Sequence, residues 1–205
     1  MARLFLLLVP IFLLAACGTD GDGMTEAGST LPGDQGSVST AAATFATARL
    51  DPLGESAATG TVTFTATDEG LRVEYNLVGI ELGNHGFHVH ENGACGRGDD
   101  GTPGGAAGGH FNPLGAPHGS PEGDRETRHV GDLGNVTSEA GGVTGGVARG
   151  EFVDPLISLA GPTSILDRAV VLHQGEDDLT SQPSGAAGDR IACGVVQLAV
   201  PPNDI

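Results

Sequence analysis

The sequence has no Lys and no Trp, a single Tyr, and only 9 basic residues, all of them Arg. Against 26 acidic residues this gives a formal charge of −17 and a pI near 4.4. Nucleic-acid binding is excluded, because it rests on clustered cations facing phosphates. Charged residues make up only 17% and the mean hydropathy is +0.00, so the chain is not a polyelectrolyte either. Long helix-forming stretches are missing. Gly accounts for 35 of 205 residues, well above the usual share of roughly 7%. Gly is costly inside helices and useful in tight turns, which excludes coiled coils and helical bundles. The one long apolar run, Leu4 to Ala16, falls short of the roughly 20 residues that a spanning helix needs.

What is present begins with an address. Arg3 followed by that apolar run has the charged start and apolar core of a secretory signal. Leu14-Ala15-Ala16-Cys17 resembles the cleavage box of bacterial lipoproteins. Residues 1–16 are therefore expected to leave as a signal peptide and Cys17 to carry lipid. The protein is expected in the bacterial cell envelope, exported and lipid-anchored to the membrane, on the periplasmic face or the cell surface. Residues 17–43 are mostly Gly, Ser, Thr, Ala, Asp and Pro. Such a segment cannot bury enough surface to offset its ordering entropy and reads as a flexible tether. The folded domain is expected over 44–205.

That domain reads as all-β. Thr61 to Thr67 alternates apolar and hydroxyl side chains; Leu71, Val73, Tyr75 and Leu77 do the same after Asp68-Glu69-Gly70, a hairpin signal. Further strands are expected at Phe45–Leu50, Gly86–His90, Leu133–Ser138, Val143–Arg149, Arg168–His173 and Ala192–Ala199. Eight short strands with Gly-rich turns suggest an antiparallel sandwich or barrel. Two connections, Glu91–Arg128 and Gln174–Arg190, are long, carry little strand or helix pattern and are read as functional loops.

The 7 His, at 85, 88, 90, 110, 118, 129 and 173, all fall in this domain. His88 and His90 stand at i, i+2 on a strand and so point to one face. His173 closes another strand, with Asp177 four residues on. His110, His118, His129 and Asp132 lie in or at the end of the first long loop. Imidazoles suit copper and zinc, a carboxylate completes a tetrahedral zinc set, and an all-nitrogen set suits copper. The pattern points to a metal centre.

The motifs Gly86-Phe87-His88-Val89-His90-Glu91, Gly109-His110-Phe111-Asn112-Pro113, Arg128-His129-Val130-Gly131-Asp132-Leu133-Gly134-Asn135, Val171-Leu172-His173 and Gly188-Asp189-Arg190-Ile191-Ala192-Cys193-Gly194 are similar, in order and spacing, to those of the copper-zinc superoxide dismutases. The resemblance runs from about Thr44 to Ala199. It implies an eight-stranded antiparallel Greek-key β-sandwich or barrel. It implies dismutation of superoxide to dioxygen and hydrogen peroxide at a copper centre cycling between +2 and +1, protecting the cell envelope from oxidative damage. His88, His90 and His173 would ligate copper, and His110 would bridge copper and zinc. His118, His129 and Asp132 would complete the zinc set. Asp177 would accept from the free ring nitrogens of a copper and a zinc ligand, and His85 would pack beside the ligands. Arg190 would attract the superoxide anion, making Arg190 and His110 the catalytic pair. Cys95 and Cys193 would form a disulfide.

The chain also departs from the family pattern. With no Lys around the channel, Arg97, Arg125 and Arg128 are the only loop substitutes. Ala186 stands where the family often has Asn, the 174–190 loop is short, and a homodimer is left open. Rival readings, a lipoprotein that delivers metal or an adhesive sandwich without a site, do not account for the complete histidine set with Arg190.

Overall fold

The computed structural model describes residues 44–141 and 145–201. The expected signal peptide at 1–16, Cys17 and the tether at 17–43 lie outside the described residues. Among the described residues nine strands form: β1 Phe45–Pro52, β2 Thr59–Thr67, β3 Gly70–Ile80, β4 Gly83–His90, β5 Asp132–Ala140, β6 Gly146–Asp154, β7 Ala169–His173, β8 Arg190–Val195 and β9 Gln197–Leu198. The only helix among the described residues is a 3-10 turn, Gly105–Ala107.

Alternation in sequence becomes alternation in burial. On β2, Val62 and Phe64 are buried; on β3, Leu71, Val73 and Leu77 are buried while Arg72, Glu74 and Asn76 face solvent. The hairpin that joins them re-enters at Gly70, with φ 142°. A Cβ there would run into the carbonyl of Asp154 on the neighbouring strand, so the turn needs glycine for space as well as for backbone freedom.

Hydrogen-bonded neighbours run β2-β3-β6-β5-β4-β7-β8-β1, and β1 closes the ring on β2, Ala46 opposite Phe64 and Ala48 opposite Val62. The result is an eight-stranded antiparallel closed barrel. The connections β3 to β4 and β6 to β7 skip neighbours, which is the Greek-key pattern. Leu50, Phe64, Leu77, Ile80, Phe87 and Leu172 fill the interior.

Three details differ from the sequence expectation. The last strand breaks at Val196, whose N–H turns to the carbonyl of Arg168 while its own carbonyl accepts from Asp167, so Gln197–Leu198 forms a separate ninth strand on β1. The sixth strand runs Gly146–Asp154 rather than Val143–Arg149, because it pairs with β3 all the way to Leu71 opposite Asp154; the expected start at Val143 lies outside the described residues. A third long connection, 155–168, folds back on itself through Ser158 and Ser164 and buries Ile157, Leu159 and Ile165.

Candidate metal centre

β4 and β7 are adjacent in the barrel wall, with His88 opposite Val171 and Phe87 opposite Leu172. Period-two geometry puts His88 and His90 on one face, and His173 ends β7 beside them. The loop after β4 then doubles back. The Glu91 N–H donates to the Gly109 carbonyl (2.9 Å) and the Phe111 N–H to the Val89 carbonyl (2.8 Å), which sets His110 opposite His90. His118, His129 and Asp132 follow from the same loop and the start of β5.

Two buried groups result. Nitrogens of His88, His90, His110 and His173 all lie within 4.8 Å of one another, as do donor atoms of His110, His118, His129 and Asp132. His110 belongs to both. The rings of His88 and His110 are 4.0 Å apart, centroid to centroid.

His88, His90, His118 and His173 are each fixed through one ring nitrogen, which leaves the other turned toward its group. His90 Nδ1 donates to the Gly108 carbonyl (2.9 Å) and His173 Nδ1 to the Gly188 carbonyl (3.1 Å), so both Nε2 atoms turn inward, 3.3 Å apart. His88 Nε2 donates to Asp177 Oδ2 (2.8 Å) and His118 Nε2 to Asp177 Oδ1 (2.9 Å). Asp177 therefore links a ring of each group. His110 Nδ1 lies 2.7 Å and His129 Nδ1 3.2 Å from Asp132 Oδ1. His118 Nδ1 is 3.0 Å from the same oxygen, yet not in hydrogen-bonding alignment. Asp132 Oδ2 is engaged by the N–H groups of His129 (2.8 Å) and Gly119 (3.0 Å).

His88 Nδ1, His110 Nε2 and His118 Nδ1 are thus buried with no hydrogen-bond partner. Orphaned buried polar atoms cost about 1–3 kcal/mol each, so three converging on two points call for partners that are not hydrogen-bonding groups. Two cations fit, one among four nitrogens and one among three nitrogens and a carboxylate oxygen.

The electrostatics of the two groups differ. Burial drives the His173 pKa down to about 3 and that of His90 well below its ordinary value, and neighbouring histidines push the same way. Burial also takes His110 down to about 4, only partly opposed by Asp132. At His118, burial is outweighed by Asp132 and Asp177, and the pKa rises to about 9. Burial opposes ionisation of Asp132 and Asp177 as well, but hydrogen bonds from the surrounding histidines hold both far below the usual carboxylate range.

Arg190, at the start of β8, donates from Nη1 to the Gly104 carbonyl and from Nη2 to the Gly108 carbonyl (2.6 Å). Gly108 thus accepts from both Arg190 and the ring of His90. The Cys95–Cys193 disulfide holds this stretch of loop to β8. Arg97 and Arg190 line a common cleft of about 830 Å³ that opens between the disulfide loop and the 53–57 turn. Arg125 is exposed on the loop between His118 and His129. Arg128 does not serve as a loop substitute for a channel cation. It is fully buried, donating to Asp154 Oδ2 (2.7 Å) and to the Asp132 carbonyl (3.0 Å), because its place directly before His129 puts it inside the wall. His85 is no part of either group; its ring nitrogens face the carbonyls of His173 (3.0 Å) and Glu81 (2.9 Å).

Several residues around the site escape sequence reasoning. The Arg168 guanidinium lies 3.5 Å over the Phe111 ring and donates to the Glu91 carbonyl, so one cation touches the residues that follow His90 and His110. Asn135 accepts from the Asp177 N–H and donates to its carbonyl, both at 2.8 Å. Gln182 does the same for His118. Asn135 stands inside a quoted motif, but nothing in the sequence marks Gln182. Gly185 is required where the loop meets Asp177 and His118, since a Cβ there would collide with both.

Residues 58–196 match the family described as copper/zinc superoxide dismutase. A Xenopus laevis protein named superoxide dismutase [Cu-Zn] A is 48% identical over 145 residues, covering 67% of this chain and 87% of that protein. Among solved structures, the clock protein EA4 is similar with a TM-score of 0.65 and 38% identity, covering 77% of this chain and 96% of that one.

Proposed function

Given that the chain belongs to the copper/zinc superoxide dismutase family, and is thereby a superoxide dismutase using copper and zinc, we propose how its own residues divide the work. His88 Nδ1 and the Nε2 atoms of His90, His110 and His173 hold copper. His110 Nδ1, His118 Nδ1, His129 Nδ1 and Asp132 Oδ1 hold zinc, and the His110 ring is shared. The observation that carries this reading is the convergence of buried donor atoms into two groups that share His110, with His88 Nδ1, His110 Nε2 and His118 Nδ1 left without a hydrogen-bond partner. Copper supplies the one-electron exchange between +2 and +1 that turns superoxide into dioxygen and hydrogen peroxide, and zinc, with no redox chemistry, serves as an anchor.

The protein's part is to attract, orient and supply protons. Arg190, half-buried and held by two loop carbonyls, presents a fixed positive charge to the anion beside the copper ligands. His110 would carry a proton at Nε2 only while that nitrogen is not held by copper, and in that exchange it acts with Arg190 as the catalytic pair. Asp177 fixes the ring orientation of His88 and His118 together. The test is metal analysis with a dismutase assay on the chain lacking its first 43 residues. One copper and one zinc per chain with cyanide-sensitive activity is expected; activity no greater than that of free copper overturns the reading. Arg190→Ala should slow the second-order rate and flatten its salt dependence, and an unchanged salt profile would remove Arg190 from that role.

We further propose that residues 1–16 direct export, that lipid on Cys17 anchors the domain by the 17–43 tether, and that the enzyme protects the bacterial envelope. Cys17→Ser should free the protein from membranes in detergent partitioning; continued membrane fractionation counts against the anchor. Sedimentation of the purified domain decides whether it forms a homodimer.

A further inference from the structure

We infer that Gln182, which is not a ligand, positions the zinc ligand His118, so that the 174–189 connection sets the zinc affinity of the centre. His118 sits in no helix or strand and has no ladder to hold its backbone. Gln182 takes that place. Its Oε1 accepts from the His118 N–H and its Nε2 donates to the His118 carbonyl, both at 2.9 Å, joining two loops 64 residues apart in sequence. A single side-chain amide thereby supplies both bonds that a neighbouring strand would give.

The turn that delivers Gln182 is organised by its own contacts. Asp178 accepts from the N–H groups of Thr180 (3.0 Å) and Ser181 (2.7 Å), and the Gly185 N–H closes onto the Ser181 carbonyl (2.7 Å). Asn135 clamps the Asp177 backbone in the same two-bond manner. The Asp177 carboxylate then fixes the rotation of the His118 ring, whose Nδ1 is left aimed toward Asp132. Backbone and ring of one ligand are thus both set from the 174–189 connection. Only an amide can serve, because the site needs one donor and one acceptor side by side.

The inference rests on the reading of His118 as a zinc ligand, and the experiment separates the two. Zinc and copper affinities are measured by chelator competition on the full chain, for the parent, Gln182→Met, Gln182→Glu and His118→Ala. Cobalt in place of zinc reports the geometry of the zinc position. Met keeps the length and loses both bonds; Glu loses the donor. Zinc should bind about tenfold more weakly to both Gln182 variants, in the range of lost outer-sphere partners, with altered cobalt absorption and unchanged copper affinity. Unchanged zinc affinity and cobalt spectrum in Gln182→Met would overturn the inference. Equal losses for zinc and copper would also overturn it, since they mean general loosening. If His118→Ala binds zinc like the parent, the ligand assignment itself fails, whatever Gln182 does.

Discussion

The two halves of the centre are built from the same side chain and differ in what stands behind it. In the copper-side group, His90 and His173 lean on backbone carbonyls, and no carboxylate offsets their burial. In the zinc-side group the rings face Asp132, and His118 also faces Asp177. His90 and His173 thus stand where nothing favours a proton, whereas His118, between two carboxylates, stands where one is held. A neutral nitrogen set suits an ion whose charge must change during turnover. An anionic set suits an ion that must stay, and Asp177 reaches from one group to the other so that neither rotates alone.

Removing a donor from each side in turn tests that division. His173→Ala should cost at least about 10³-fold in dismutation, more than the loss of a single stabilising hydrogen-bond donor in an active site, while zinc content stays near that of the parent. Loss of both metals would mean that the halves are not separable. Asp132→Asn should weaken zinc by more than about 100-fold, beyond the range for outer-sphere partners, with copper still bound; chelator competition measures both.

Proton counting sharpens the contrast further. In the metal-free chain His118 is raised to about 9 and so protonated at neutral pH, whereas His173, near 3, and His90 are not. Zinc should therefore release a proton from His118 on binding, and whichever ion binds second should release one from His110, because a ring held through both nitrogens has lost its N–H; an indicator dye in weak buffer reads both. The stability effects have opposite signs. His90 and His173 are depressed, so their contribution is present above about 6.5 and is lost as pH falls, for His173 through about 3. That of His118 is present below about 6.5 and is lost as pH rises through about 9. Thermal melts of metal-free protein across pH should fall off on both sides, and a profile flat to pH 10 would contradict the assignment at His118. The smallest effect is at Arg168. Arg168→Met should lower stability by about 0.5–2 kcal/mol, the value of a cation–π contact, in denaturant titration.

Much of the fold was legible because period-two alternation and glycine punctuation are local signals. Thr61–Thr67 and Leu71–Leu77 need only their own residues to declare a hairpin. The ligands were legible because histidine is rare, and a full set without strays is informative. The rest depends on long-range contact. Arg128 looked like a surface cation until the barrel supplied Asp154. Val196 interrupts the last strand only because Arg168 and Asp167 are beside it. Gln182 gains meaning from a residue 64 positions away. Ala186 adopts φ 53°, a left-handed conformation that Asn tolerates better than Ala, which accounts for the side chain expected there.

The pairing of β1 with β2 completes a ring in which each of the eight wall strands has a partner on both sides. Sheet proteins are most prone to aggregate where a rim strand offers unpaired amides and carbonyls to another molecule. Here two seams of the ring are short, with two residue pairs between β5 and β6 and two between β8 and β1, and β6 from Ala148 to Asp154 pairs on its β3 side alone. Backbone pairing between copies would therefore start at β6, and elsewhere on the ring any association has to be made through side chains.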